Sequence, residues 1–294
     1  MKRNKYELTG LDGSLSVEFN NSNRAFVVSL MNIGSIDSKI SSYSGAGQYG
    51  ATITSRSFDT RDVEIQGHIL ADNAEDMRER KINLQRIVNP ANDFYLIIDG
   101  TYRLRLAATS TIQYEKEFYK HNDYLTSFTI DAVASNPFFE LLEPIEANLA
   151  GWVKDLHFPL TNPQGQRFTV GHRAESKIVD VYSESEVPTG MIIKLKAIGG
   201  TVVNPTITNL TTNEKFKVNA TLQANEELLI TTSYGRKSIT NLTTKENWLT
   251  KLDLSSTWLQ MEVGKSSFKC EGEHSSKGTI ECNISYNPLL IEVL

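Results

Sequence analysis

The sequence predicts a mainly β protein of two β-rich domains, the first with a single amphipathic helix at about 73–88, the second a β-sandwich. Three observations predict this. Short runs in the first half alternate apolar and polar residues, one segment there switches to helical spacing, and beyond about residue 190 Thr, Asn and Val recur in a strand–turn–strand rhythm.

The first-half strand runs lie at 25–30, 63–69, 95–98 and 102–106. Val63 and Ile65, like Tyr102, Leu104 and Leu106, carry the period-2 mark of half-buried strands. Asp99-Gly100, between the last two runs, is a tight-turn signal. In the segment 73–88, Met77, Leu84, Ile87 and Val88 share one helical face opposite Arg and Glu. Asp72 is placed to accept hydrogen bonds from the first free amides, with Glu75 three residues on, and Asn89-Pro90 stops the helix.

Composition changes near Ser135-Asn136-Pro137-Phe138-Phe139-Glu140, so the expected domains are 1–140 and 141–294. Short strands at 191–195, 206–208, 215–218 and 227–230 give the second its sandwich reading. Ile-Thr-Asn-Leu-Thr-Thr occurs at both 207–212 and 239–244. Two copies fall short of the three units a solenoid needs, so they read as chance or as shared strand-edge use.

Charge excludes several classes of function. The net charge is −5, with 15 basic against 18 acidic residues in 1–140 and 15 against 17 in the remainder. Neither half has the basic excess that neutralises phosphates in a nucleic-acid binder. No apolar run approaches the ~20 residues that span a bilayer, so no membrane partner is expected. The basic start Met1-Lys2-Arg3 lacks a following apolar signal region, which points to synthesis in a cytoplasm.

Cys270 and Cys282 flank a polar stretch that reads as a hairpin loop. Strands closing symmetrically about Ser276 would set the two sulfurs opposite each other. A disulfide is then geometrically conceivable, but a cytoplasm favours two thiols. Zinc held by both cysteines and His274 lacks a fourth ligand. Replacing both by Ser is expected to cost roughly 1 kcal/mol.

No catalytic, cofactor-binding or metal-ligating set emerges. Gly45-Ala46-Gly47-Gln48-Tyr49-Gly50 matches the spacing of a dinucleotide loop, but that chemistry needs a hydrophobic strand before it and a helix after it. Ser41-Ser42-Tyr43-Ser44 precedes and the strand-like Ala51-Thr52-Ile53-Thr54 follows, so the stretch reads as a glycine-rich loop between strands. His68, His121, His157, His172 and His274 are dispersed without metal-type spacing. Trp152, Trp248, Trp258, Tyr182, Tyr234 and Tyr286 read as core residues before sugar platforms. Many strands with one helix leave sheet edges uncovered in 1–140, which places a ring-forming surface there. Gly45, Gly47 and Gly50 mark a candidate subunit-contact loop.

Over nearly its full length the chain resembles the siphophage distal tail proteins (Dit, or siphovirus-type tail component). The resemblance rests on an ordered series: the loop 45–50, Ser57-Phe58-Asp59-Thr60-Arg61-Asp62-Val63, the helix to Asn89-Pro90, the 96–106 hairpin and Phe128 to Phe139. Val187-Pro188-Thr189-Gly190, Asn204-Pro205-Thr206, Glu226 to Thr232, Ser256 to Gly264 and Ile284 to Leu290 continue it. It implies a homo-oligomeric ring, usually of six subunits, at the virion tail tip. It also implies a galectin-like or carbohydrate-module-like outer sandwich. The implied partners are the tail tube protein, the tail-associated hub protein and receptor-binding components, with DNA passing through the channel without specific binding. A carbohydrate-binding adhesin using the sandwich aromatics is the alternative, and a glycan array separates the two. A cell-wall hydrolase is the third reading and has no supporting motif.

Overall fold

A computed structural model describes residues 5–20, 25–117, 122–150, 152–154, 171–173, 178–274 and 279–293, without side chains for 149, 150, 152–154, 171–173 and 274. His121 and His157 lie outside the described residues, as do the side chains of Trp152, His172 and His274. The chain divides into two compact units. Residues 1–142 with 290–294 form unit 1, and residues 143–289 form unit 2. The architecture is mainly β with one α-helix among the described residues.

Unit 1 runs β1 (Tyr6–Gly10), β2 (Ser16–Glu18), β3 (Phe26–Ile33), β4 (Ser38–Tyr43), β5 (Thr52–Phe58), β6 (Arg61–Leu70), α1 (Ala74–Ile87), β7 (Asp93–Ile98), β8 (Tyr102–Ala108), β9 (Gln113–Tyr114), β10 (Leu125–Ala134) and β11 (Phe139–Leu141). The main sheet has the order β2-β1-β7-β8-β10-β6-β3. Its inward residues, among them Leu8, Ile65, Ile69, Phe94, Leu96, Leu104, Leu106, Phe128 and Ile130, form one core. Met77, Leu84 and Ile87 of α1 and the adjoining Val88 join that core, as the helical spacing requires. The helix is capped one residue later than expected: the Asn73 side chain, not that of Asp72, accepts from the Asp76 amide at 3.0 Å. The Asp76 carboxylate in turn accepts from the amide of Asp72, the residue before the cap, at 3.0 Å. The β7–β8 turn is the tight one expected, with φ of 53° at Asp99 and 65° at Gly100.

Unit 2 contains β12 (Ile145–Ala150), β13 (Trp152–Lys154), β14 (Gly171–Arg173), β15 (Ile178–Ser183), β16 (Ile192–Ile198), β17 (Val202–Asn209), β18 (Glu214–Lys217), β19 (Thr221–Leu222), β20 (Glu227–Thr231), β21 (Ser238–Asn241), β22 (Gly264–His274) and β23 (Thr279–Tyr286). Two sheets, β12-β23-β16-β20-β21 and β15-β22-β17-β18 with β19 beside β17, share a single apolar core. That is a β-sandwich. Among the described residues, β13 and β14 pair only with each other.

The cysteines correct the hairpin picture. β22 and β23 are consecutive but enter different sheets, so Cys270 and Cys282 come from facing sheets and not from one ladder. Both are free and fully buried. Replacing them by Ser buries two hydroxyls, at roughly 1–3 kcal/mol each when unpaired, more than the sequence alone suggests.

The repeated hexapeptide is not a coincidence of composition either. In each copy the Asn carbonyl oxygen accepts from the next two threonine amides: Thr211 and Thr212 on Asn209, at 3.0 and 3.4 Å, and Thr243 and Thr244 on Asn241, at 2.9 and 3.0 Å. Leu210 and Leu242 donate to Ser267 and Glu227 of the neighbouring strands, whose own amides donate back to the hydroxyls of Thr211 and Thr243. The seventh residue, Asn213 or Lys245, has φ near 60° in both, and an aromatic residue, Phe216 or Trp248, then returns to the core. One turn is thus built twice, once on each sheet. The Nδ2 atoms of both asparagines are buried without a partner among the described residues.

At the end of unit 2, β24 (Leu289–Leu290) pairs with β11, and from Leu290 onward the chain belongs to unit 1. Arg61, fully buried at the start of β6, holds this tail: its Nη2 donates to the Ile291 carbonyl, and its guanidinium carbon sits 4.7 Å from the centre of the Phe139 ring. Leu290 and Val293 pack on the unit 1 core. Burial pulls the Arg61 pKa down, and the Glu292 carboxylate opposes that shift.

Two outcomes follow for stability. Asn209→Ala and Asn241→Ala should each cost unit 2 about 1–2 kcal/mol, as one hydrogen-bonded turn is lost, and denaturant unfolding should find them equal within about 0.5 kcal/mol. A cost at one site only would show that the turns are not equivalent. A chain ending at Leu289 should lose about 1.5–3 kcal/mol in unit 1, because the buried Arg61 loses its acceptor. Hydrogen exchange at β6 and β11 should rise while that of β16 and β20 stays unchanged.

Candidate functional site

The feature of unit 1 that its own core does not account for is the hairpin β4–β5. It continues the β3–β6 pair: Ile33 faces Val63, the Gly34 amide donates to the Asp62 carbonyl, the Asp59 amide donates to the Asp37 carbonyl, and Ser38 then faces Phe58. Gly34 is required here, because a Cβ would lie 2.9 Å from the Asp62 carbonyl oxygen. Every residue of β4 and β5 is exposed, on both faces. At about 3.3 Å per residue the arm extends roughly 20 Å.

Strand alternation divides the arm into unlike faces. Ile40 and Phe58, joined by Ile53 through the bulge between Ser41 and Ser42, fall on one side with Arg56. Lys39, Ser41, Tyr43, Thr52, Ser55 and Ser57 fall on the other. Ile40, Ile53 and Phe58 are about half exposed, with values of 55%, 45% and 50%. At the base, Phe58 meets Phe138 edge-on with ring centres 5.2 Å apart, and Lys39 pairs with Asp59. The Lys39 ammonium holds the Asp59 carboxyl below its ordinary pKa.

The glycine-rich loop is the tip of this arm and brings Gly45, Gly47 and Gly50 together. Gly47 and Gly50 have φ of 80°, where a side chain is strained. The Gln48 side chain ties the loop by accepting from the Gly45 amide at 3.1 Å and donating to the Thr52 hydroxyl at 3.0 Å. The Ser44 hydroxyl donates to the Gly50 carbonyl at 2.9 Å. Strand flanks this loop on both sides, so no helix N-terminus faces it as a nucleotide site requires. Sequence reasoning found the loop but missed β4 and with it Lys39, Ile40 and Tyr43. A weak alternation of Ile40 with serines was the available signal.

Groups with chemical potential elsewhere are committed to structure. His68 Nδ1 lies 3.0 Å from the Ser127 hydroxyl. A groove of about 210 Å³ beside α1 is lined in part by Glu18, Phe26, Arg80 and Ile87, and Arg80 is already bound to Asp76 and to the Leu70 carbonyl. No cluster of three or more metal-ligating side chains occurs among the described residues. In unit 2, Trp248 and Tyr286 are core residues and Trp258 packs edge-on against Phe216. The exposed Tyr182 stands on β15, whereas Tyr234 follows β20 of the other sheet and carries the Lys237 ammonium over its ring.

Comparison with known proteins accounts for both units. Residues 14–131 match the phage tail protein RIFT-related domain, and residues 184–289 match the siphovirus-type tail component, C-terminal domain. The fold is similar to that of the Dit protein of phage SPP1, described as a paradigm of hub adsorption apparatus in Gram-positive infecting phages. The TM-score is 0.62 at 12% identity, over 97% of this chain and 99% of that one. A chain of the phage P2 baseplate in its activated conformation with Ca gives a TM-score of 0.56 at 12% identity, over 99% and 100%. Curated protein sequences give no match. At such identities the structural likeness is one of fold, while the two family matches, 14–131 and 184–289, follow one another along the chain. The chain belongs to the siphovirus-type tail component family, the distal tail proteins, and is a structural protein of the phage tail tip.

Proposed function

We propose that this chain assembles into a ring, of six copies, at the distal end of the tail tube and joins the tube to the tail-associated hub protein and the receptor-binding components. Its role is mechanical connection, without catalysis. The ring-forming surface lies in residues 1–140, the sandwich 141–294 is peripheral, and DNA passes through the ring without specific binding. Synthesis takes place in the host cytoplasm and the final location is the virion tail tip.

The β4–β5 arm is the observation that carries this reading. An isolated two-stranded hairpin is marginal in water, and this one exposes Ile40, Ile53 and Phe58 along one face. A neighbouring copy would cover that face, with Gly45, Gly47 and Gly50 letting the tip follow the neighbour's surface. β3 adds an edge with no partner strand on its outer side among the described residues, and exposed edges invite pairing with another chain. A head-to-tail contact of this kind closes into a ring when its rotation closes. The net charge of −5 suits a channel that must not retain DNA.

The test is the double substitution Ile40→Asp, Ile53→Asp. It should abolish oligomers in light scattering and rings in negative stain. Monomer stability should change by less than about 0.5 kcal/mol, because surface positions away from the core tolerate such changes. Rings that persist in this variant would remove the arm from the assembly. A fragment 143–289 should stay monomeric, and rings formed by it would reverse the proposed division of labour.

A further inference from the structure

The assembly reading makes no use of Cys270 and Cys282, yet their placement is specific. They lie on β22 and β23, in the two facing sheets of unit 2, and are 0% and 1% exposed. Cys270 stands in register with Ile207, and Cys282 with Leu195, so each is flanked by apolar side chains. The two side chains are neighbours in the core that the sheets share. Neither is engaged in a disulfide. Within one sheet, cysteines at this sequence spacing would staple a hairpin; here they meet in the apolar core between two sheets.

We propose that Cys270 and Cys282 form a cross-sheet dithiol that closes to an intrachain disulfide when the protein meets a small disulfide oxidant such as oxidised glutathione, tying one sheet of the sandwich to the other. The two side chains enter one core from facing sheets, so closure requires the sulfurs to reach bonding distance across it. While packed, the Cys282 thiol is held well above its ordinary pKa by burial and by its neighbour, which keeps it protonated and a poor nucleophile. Reaction therefore proceeds through transient opening of the sandwich. An exposed thiol loses its proton and attacks one sulfur of oxidised glutathione, breaking that S–S bond and releasing one glutathione thiol. The second cysteine then attacks the mixed disulfide, forms the Cys270–Cys282 bond and releases the second glutathione. The protein gives up two protons and two electrons, and the oxidant takes up both. A chain made in a reducing compartment keeps the dithiol, and the bond forms in an oxidising medium.

The experiment uses the full chain equilibrated in glutathione redox buffers, approached from the reduced and the oxidised side, natively and in denaturant. Thiols are trapped in acid and peptides are mapped without reduction. The expected result is an intrachain 270–282 cross-link whose formation constant in the folded protein exceeds that in the denatured chain at least tenfold. That ratio corresponds to about 1.4 kcal/mol of stabilisation, and the unfolding temperature should rise and return on addition of dithiothreitol. Cys270→Ala and Cys282→Ala chains should show no such rise. A ratio of one or less, or glutathione adducts in place of the cross-link, would overturn the proposal. Because assembly is not measured, the result is independent of the ring reading.

Discussion

Unit 1 depends on the pairing of β6. This strand pairs with β10 over ten residues, from Leu70 opposite Leu125 to Arg61 opposite Ala134, and with β3 along its other side. The pairing is tight enough that Gly67 admits no side chain: a Cβ would lie 2.5 Å from the Val27 carbonyl and 2.8 Å from the Phe128 ring. A slip of one residue would turn Val63, Ile65 and Ile69 out of the core. The same register aims the arm, since β4 and β5 are the run-out of β3 and β6. It also sets Arg61 at the strand's first position, facing the returning tail.

Much of this was legible in the sequence because burial writes a pattern. The α1 face, the strands β6, β7 and β8 and the tight turn at Asp99-Gly100 all carry the apolar patterning or turn chemistry that burial and positive φ demand. β4 was not legible for the converse reason. A strand exposed on both faces has no core to satisfy, and a Ser-rich run such as Ser41-Ser42 then resembles a loop. The tip glycines stood out because their backbone requirement is local. Arg61 was illegible because a buried guanidinium depends on a carbonyl 230 residues away. The cysteines were read as a hairpin pair because nothing local says that consecutive strands will part into different sheets.

Unit 2 shows how a short sequence can specify a turn twice. The identical hexapeptides fold identically because the information is local: an Asn acceptor, two following amides and a Thr hydroxyl that secures the neighbouring strand. Outside the hexapeptide, the positive φ of the seventh residue and the aromatic return to the core are kept, as Asn213 and Phe216 in one copy and Lys245 and Trp248 in the other. The flanking strands differ in length, four residues in β21 against eight in β17. The turn is conserved between sheets while its setting is not, which is how local hydrogen bonding behaves when packing is free to vary.

The return of the tail to unit 1 has a consequence during synthesis. Leu290 and Ile291 leave the ribosome only after all 147 residues of unit 2. At about 5–20 residues per second that is a delay of roughly 7–30 s. Through that interval the chain carries the Phe139 edge of β11 and the Arg61 cation without their final cover. Until the tail emerges, unit 1 can pair β6 with β10 but cannot make the Arg61–Ile291 contact that closes over β11.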